Sequence, residues 1–283
     1  MSRIKSYTTL FCLFITYFTF AGGDPVPVGG RSWGMANTFL TLRDPFALFN
    51  NPAGLSEFTY TSAFATFDSR YGVSGLQYYT AGFVMPVRFG TFGVGFQRFG
   101  NELYNEQQIG LAFGKKIDLV SLGAKVNLLQ IGMDTFGAKR VLTFEFGAIA
   151  EIIPKKLLLG AKIHNLTSAK IADYQDERVP TVMSVGFSFR PTEKLMLNAE
   201  TEKDIDFPAI IKAGLEYEIV KNLKLRTGIS SKPYINYFGI GFSPKSLQFD
   251  YAVRTHPQLG LSHQISVLYR FREKTKSQTP QNQ

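Results

Sequence analysis

The chain has 283 residues and a formal charge of +9, and it is rich in Phe (26), Tyr (13) and Gly (26). Its basic residues are scattered rather than gathered in a run with interleaved aromatics, so we do not predict nucleic-acid binding. Beyond residue 21 no second long apolar run occurs, which excludes a helical membrane protein. Aromatic- and glycine-rich sequence instead favours strands that are apolar on one side, as in a membrane barrel or a soluble β-sandwich.

The first 21 residues have the order of a secretory signal peptide. Arg3 and Lys5 form a basic start, residues 10–20 form an apolar run, and Ala21 precedes the expected cleavage point. The run is too short for a helix that spans a bilayer, which needs about 20 residues, so an N-terminal anchor is the weaker alternative. The single cysteine, Cys12, lies in this segment, and we therefore expect no disulfide and no thiol chemistry in the mature chain.

From about residue 59 onward, apolar and polar side chains alternate with the period of two that indicates β-strands. In residues 247–254 the odd positions are Leu, Phe, Tyr and Val, whereas the even positions are Gln, Asp, Ala and Arg. The pattern predicts fourteen strands, at 59–69, 75–87, 91–99, 104–117, 119–130, 140–152, 157–165, 181–190, 195–203, 209–219, 222–231, 236–243, 246–255 and 261–271. An even number suits a bacterial outer-membrane barrel, in which a tilted spanning strand needs about 9–11 residues.

The predicted connections alternate between tight turns and longer loops. Turns at 154–156 and 191–194 alternate with loops at 132–139 and 165–180. Outer-membrane barrels have short periplasmic turns and longer external loops, a parity that a soluble sandwich has no reason to obey. The sequence therefore predicts an all-β fold: a transmembrane antiparallel up-and-down β-barrel over 58–271 in the outer membrane of a Gram-negative bacterium. A polar tail, 272–283, follows it.

One face of the predicted strands carries charges of both signs, and the other is almost purely apolar. In a barrel the apolar face meets lipid and the polar face lines the lumen. The candidate lumenal charges are Lys125, Glu145, Lys162, Arg190, Lys212, Glu216, Arg226, Asp250 and Arg254. Opposite charges on neighbouring strands, such as Glu216 beside Lys224 or Arg226, predict ion pairs inside the lumen.

The segment before the first strand, 22–57, has a different pattern. Residues 29–36 read Gly-Gly-Arg-Ser-Trp-Gly-Met-Ala, Asp44 precedes a short apolar stretch, and residues 51–55 read Asn-Pro-Ala-Gly-Leu. Together with the closing hairpin from Phe249 to Phe271, this segment resembles the PorV/PorQ group of outer-membrane proteins, which are related to the FadL fatty-acid transporters. The resemblance covers both ends of the mature chain, and the middle matches in pattern alone.

This resemblance implies a fourteen-stranded barrel whose N-terminal segment lies in the lumen as a hatch. The implied hatch or ligand residues are Arg31, Asp44, Asn51, Pro52, Ala53 and Gly54. We expect Arg31 to pair with an inward carboxylate, Glu145, Glu216 or Asp250, because an unpaired buried charge is costly. The alternative for the Asn-Pro-Ala-Gly stretch is a purely structural turn that leads into the first strand.

No catalytic constellation or metal-ligand spacing is evident, so the sequence predicts no enzyme, no metal and no cofactor. His256 is expected in an external loop, His263 on the lipid face and His164 at the outer end of the lumen. The resemblance implies an accessory role in outer-membrane protein export of the type IX secretion kind, with secretion-system proteins as partners. The alternative is a FadL-like transporter whose ligand is a small hydrophobic molecule. Outer-membrane lipid surrounds the barrel in either case.

Overall fold

The computed structural model describes residues 22–135, 137–172 and 177–271. The predicted signal peptide, 1–21 with Cys12, and the predicted polar tail, 272–283, lie outside the described residues. No helix within the described ranges is long and apolar enough to cross a membrane.

Strands dominate the described chain. They are β1 (Ser62–Ser69), β2 (Gln77–Val87), β3 (Gly90–Gly100), β4 (Tyr104–Ile117), β5 (Val120–Met133), β6 (Gly137–Ile153), β7 (Leu157–His164), β8 (Lys170–Ala172), β9 (Glu177–Arg178), β10 (Val182–Thr192), β11 (Leu195–Asp204), β12 (Ile210–Val220), β13 (Leu223–Ser231), β14 (Tyr234–Phe242), β15 (Leu247–His256) and β16 (Gly260–Arg270). Each of the fourteen long strands starts and ends within three residues of its predicted span.

These fourteen strands form one closed antiparallel barrel. Each strand pairs with its neighbours in the chain, and β16 returns to pair with β1 from Ser62↔Arg270 to Ser69↔His263. The short strands β8 and β9 form a separate hairpin between β7 and β10, which pair directly with each other. The prediction of a fourteen-stranded up-and-down barrel is confirmed, and the soluble β-sandwich is excluded. The β8–β9 hairpin was not predicted, because strands this short show no alternation.

The two faces of the wall alternate as the sequence indicates. Phe249 is 43% exposed on the outer face, whereas Asp250, one residue later, is 2% exposed on the inner face. His263 takes the outward parity that was predicted for it, and Nδ1 of its ring lies 2.7 Å from the Tyr251 hydroxyl. The expectation for His256 was wrong: it is the last residue of β15 and pairs with Gly260, because the strand continues beyond the predicted end.

Residues 22–57 pack against the inner face of the barrel wall and form its core. They contain a short helix, α1 (Gly30–Gly34), and two 3-10 helices, Pro45–Leu48 and Pro52–Leu55. Each 3-10 helix begins with the same local device. Asp44 or Asn51 accepts a hydrogen bond from the backbone N–H two residues later, and a proline follows at the first helical position.

The path of this segment runs from one end of the barrel to the other. The Gly23 N–H donates to Glu106 Oε2 at 3.1 Å, beside the longer loops. At the opposite end, Glu57 forms ion pairs with Arg43 and Lys116 beside the tight turns. The chain therefore descends inside the wall before residues 58–61 lead into β1.

Candidate functional site: the lumen and its N-terminal segment

Glycines let the backbone of the N-terminal segment approach the strands. A Cβ on Gly239 of β14 would lie 2.9 Å from the Cα of Gly34, which is shorter than real Cβ contacts. A Cβ on Gly228 of β13 would lie 2.6 Å from the backbone nitrogen of Ala36. Side chains at these inward positions would displace α1, so the glycines fix how closely the segment docks.

The first ion network links this segment to the second half of the barrel. Arg31 donates to both carboxylate oxygens of Glu216, at 2.7 and 2.9 Å, and lies 3.3 Å from Asp44 Oδ2. Arg226 donates to Glu216 at 2.7 Å and to Asp250 at 2.6 Å. Of the three carboxylates predicted as partners for Arg31, the structure brings Glu216 into contact with it.

Burial and charge act against each other in this network. Burial raises the pKa of the Asp44 carboxyl, and the nearby Arg31 guanidinium opposes that shift. Burial lowers the pKa of Arg31, but the carboxylates of Glu216, Asp44 and Asp250 together outweigh it and the net shift is upward. Arg31 therefore stays charged, and the pair with Glu216 holds the segment to β12.

A second network lies between the first-half strands and is centred on Glu145 of β6. Lys162 Nζ lies 2.7 Å and Lys125 Nζ 3.3 Å from its carboxylate, and the Asn127 amide donates to it at 2.7 Å. His164 Nδ1 lies 3.4 Å from the same group. Lys125 also lies over the Phe49 ring of the N-terminal segment, at 4.6 Å, so this network contacts that segment as well.

The other predicted lumenal charges have different surroundings. Lys212 pairs with Glu202 at 2.7 Å. Arg190 donates to the Met196 sulfur at 3.4 Å, and Arg254 lies over the Trp33 ring at 4.7 Å. Neither arginine takes part in an ion pair among the residues that the structure describes, so the expectation of lumenal ion pairs does not extend to them.

The Asn-Pro-Ala-Gly stretch contacts the wall and its own segment. Asn51 Nδ2 donates to the Leu40 carbonyl oxygen at 2.6 Å, and its Oδ1 accepts from the Ala53 N–H. A Cβ on Gly54 would lie 2.3 Å from the Leu42 carbonyl oxygen. Pro52 packs where Gly123 of β5 has no side chain. These contacts give the stretch a structural role, and they explain the residue types at Asn51 and Gly54.

At the loop end the inner wall changes from polar to apolar. Lys125 and Asn127 of β5 are followed on the same face by Leu129 and Ile131. Ile171 and Val179, at the β8–β9 hairpin, pack against them in a buried cluster, which we call the mouth cluster. The mouth cluster was not predicted, because the residues of the β8–β9 hairpin were assigned to a loop. The switch from polar to apolar side chains along β5 is nevertheless visible in the sequence.

The start of the N-terminal segment closes this apolar region from below. A Cβ on Gly23 would lie 3.1 Å from Leu129 and 3.3 Å from Val179. Beneath it, Pro25, Pro27, Phe39, Phe49 and His164 border a cavity of about 10 Å³, room for about one water molecule.

Within the described ranges no group of three or more His, Cys, Asp or Glu side chains could hold a metal ion. Asn165, which lies beside His164 in the chain, uses its amide to donate to the Val179 carbonyl oxygen at 2.7 Å. That bond ties the β8–β9 hairpin to the wall.

Neither a family model nor a curated protein matches the chain. Solved structures do match it. The toluene transporter TbuX of Ralstonia pickettii is 13% identical, with a TM-score of 0.66 over 88% of this chain and 100% of that one. The toluene transporter TodX of P. putida is also 13% identical, with a TM-score of 0.67 over 89% of this chain and 100% of that one. The chain therefore shares the fold of these transporters, a closed fourteen-stranded β-barrel of the outer-membrane type.

Proposed function

We propose that the barrel carries small hydrophobic molecules across the outer membrane, with the mouth cluster as their entry and residues 22–57 as a hatch. The observation that carries this proposal is the change of the inner wall from polar to apolar at the loop end, where Leu129 and Ile131 meet Ile171 and Val179. Apolar side chains gathered at the loop end of the lumen suit an apolar ligand. The toluene transporters that share the fold support the same substrate class.

The hatch part of the proposal rests on the contacts of residues 22–57. Gly23 closes the mouth cluster at the loop end, and the Arg31–Glu216 pair holds α1 lower in the lumen. The two 3-10 helices fill the space against the strands of the first half. A ligand that entered at the mouth would meet this segment, so passage requires part of it to move.

The test of transport uses a polar substitution in the mouth. Leu129→Asn should slow the uptake of radiolabelled toluene by proteoliposomes, because it leaves an amide in a 5% exposed apolar site. Leu103→Asn is the matched control, since Leu103 is 70% exposed in a loop. Equal uptake by parent, Leu129→Asn and empty liposomes would contradict the proposal.

The test of the hatch is the deletion of residues 24–54. The truncated barrel should still insert, conduct ions measurably better in planar bilayers and lose part of its resistance to heat. The control is the full-length protein inserted under the same conditions. Unchanged conductance and unchanged heat resistance would show that the segment does not close the lumen.

A second candidate function is the accessory role in protein export. The resemblance of residues 29–55 and 249–271 to the PorV/PorQ group supports it, and so does a lumen filled by ion-paired chain. Co-purification from detergent-solubilised outer membrane tests it directly. Recovery of secretion-machinery proteins, with no toluene uptake in liposomes, would favour this function over transport.

A further inference from the structure

The tight-turn end of the barrel contains a second open space, distinct from the mouth cluster. It is a cavity of about 510 Å³ between the N-terminal segment and strands β12 to β16. We call it the inner vestibule. Seven of its lining side chains are Lys or Arg, and two, Asp44 and Glu218, are carboxylates. Tight turns of outer-membrane barrels lie in the periplasm, so the inner vestibule opens to that side.

Three of its cations are already neutralised by the protein. Arg31 and Arg226 both donate to Glu216, at 2.7 Å each, and each has a second carboxylate, Asp44 at 3.3 Å and Asp250 at 2.6 Å. Arg43 forms an ion pair with Glu57. These ion pairs line the inner vestibule and add no net positive charge to it.

The other four cations have only long ion-pair contacts or none. Lys224 lies 3.7 Å from Glu216 and 3.9 Å from Glu218, which are long contacts. Arg270 donates to the Gln248 amide oxygen at 2.9 Å, and its buried Nε has no hydrogen-bond partner. Lys221 and Lys245, in the turns that rim the cavity, form no ion pair within the described ranges.

A concave site with surplus positive charge concentrates anions, because its low-dielectric walls focus the field. Guanidinium groups recognise phosphate and carboxylate oxygens through paired N–H donors, and lysines add mobile point charges around them. Arg270 offers a buried N–H that points to no acceptor, while three lysines surround the same opening. A multivalent oxyanion can accept hydrogen bonds from several of these groups at once, whereas chloride carries a single charge.

We propose that the inner vestibule binds a phosphate-bearing anion from the periplasmic side, with Arg270, Lys221, Lys224 and Lys245 as its binding residues. The site is independent of the mouth cluster, at the opposite end of the barrel. It therefore adds a polar ligand to a protein whose proposed cargo is apolar.

Isothermal titration of the purified full-length protein with inorganic pyrophosphate tests the proposal, at constant ionic strength set with sodium chloride. We expect saturable binding of one pyrophosphate per barrel. Arg270→Gln should weaken it at least tenfold. The double variant Lys221→Gln/Lys245→Gln should do the same, and its changes lie in the turns, where they spare the closing strand.

The matched control is Lys155→Gln/Lys156→Gln, which removes two charges from another tight turn at the same end but outside the cavity. Its affinity for pyrophosphate should equal that of the parent. An equal loss in both double variants would mean diffuse attraction by net charge and would overturn the site. Absence of saturable binding to the parent would overturn it as well.

The source of the phosphate is distinguished by repeating the titration in nanodiscs. If phosphatidylglycerol in the disc competes with pyrophosphate, a lipid headgroup reaches the site. If uncharged and anionic discs give the same affinity, the site takes a soluble phosphate. Toluene uptake should be unaffected by Lys221→Gln/Lys245→Gln, so failure of this proposal and failure of the transport proposal are read separately.

Discussion

Replacement of Arg31 by Gln should loosen the N-terminal segment without unfolding the barrel. Arg31 donates twice to Glu216 and once to Asp44, with 14% of its side chain exposed. A hydrogen bond to a charged group contributes about 1.5–3 kcal/mol, but Glu216 keeps its bond from Arg226, which limits the loss. We take a net cost of about 2 kcal/mol, which multiplies the undocked population by about 30.

Thiol labelling measures that population. Ser32 is buried in α1, and Ser32→Cys introduces the only thiol outside the predicted signal peptide, which contains Cys12. When redocking is faster than labelling, the labelling rate follows the population of the open state, so it should rise about 30-fold in Arg31→Gln. The free energy of unfolding of the barrel wall should change little.

Arg190→Gln is the matched control for this experiment. It removes the same charge from the same part of the lumen, beside Arg31 and Glu216, yet the Arg190 side chain donates only to the Met196 sulfur among the described residues. Its labelling rate should stay within about twofold of the parent rate, as befits a site without an ion pair. If both variants label alike, the Arg31–Glu216 pair does not hold the segment and the reasoning is refuted.

Three further predictions concern the wall and its orientation. Leu111→Arg, midway along the outward face of β4, should reduce the amount of heat-modifiable barrel on gels, because an arginine at the bilayer midplane costs roughly 2–4 kcal/mol. Leu119→Arg, in a tight turn, should assemble normally. Equal yields of the two variants would contradict the assignment of the lipid face. An epitope inserted after Thr167 should be labelled on intact cells and one after Glu193 should not, whereas reversed labelling would invert the topology. Gly239→Val should raise thiol labelling of the N-terminal segment, because its Cβ would lie 2.9 Å from a backbone carbon of α1; a parental rate would show that this approach is not needed for docking.

The barrel was predictable because a wall with lipid on one side requires an apolar residue at every second position of each strand. Pairing between adjacent strands followed from the same pattern, as with Glu216 and Arg226 on β12 and β13. The contacts that residues 22–57 make inside the lumen could not be predicted from this pattern. Contacts such as that of Asn51 with Leu40 depend on how an irregular segment turns. Arg43 and Glu57 were missed for the same reason, since both precede the first strand.

The function was less predictable than the fold. The ends of the chain suggested an export accessory, whereas the solved structures that share the fold include toluene transporters. Sequence motifs such as residues 51–54 describe how the segment folds and docks, and those contacts are compatible with either function. The mouth cluster, which bears on the ligand, depends on Ile171 and Val179, and these residues show no periodic signal.

The direction in which residues 22–57 run has a mechanical consequence. The segment is joined to the wall by residues 58–61, at the rim with the tight turns, and its contact with Leu129 lies at the far end. The segment is thus joined to the wall only at its C-terminal end, on the side of the tight turns, which is the periplasmic side of an outer-membrane barrel. Withdrawal toward the tight-turn rim that keeps this connection intact would clear the mouth cluster first and bring Gly23 past that rim last, because Arg31 already borders the inner vestibule. A force applied from the periplasmic side can pull the segment out of the lumen through its C-terminal connection. A force from the outside acts against all of its docking contacts.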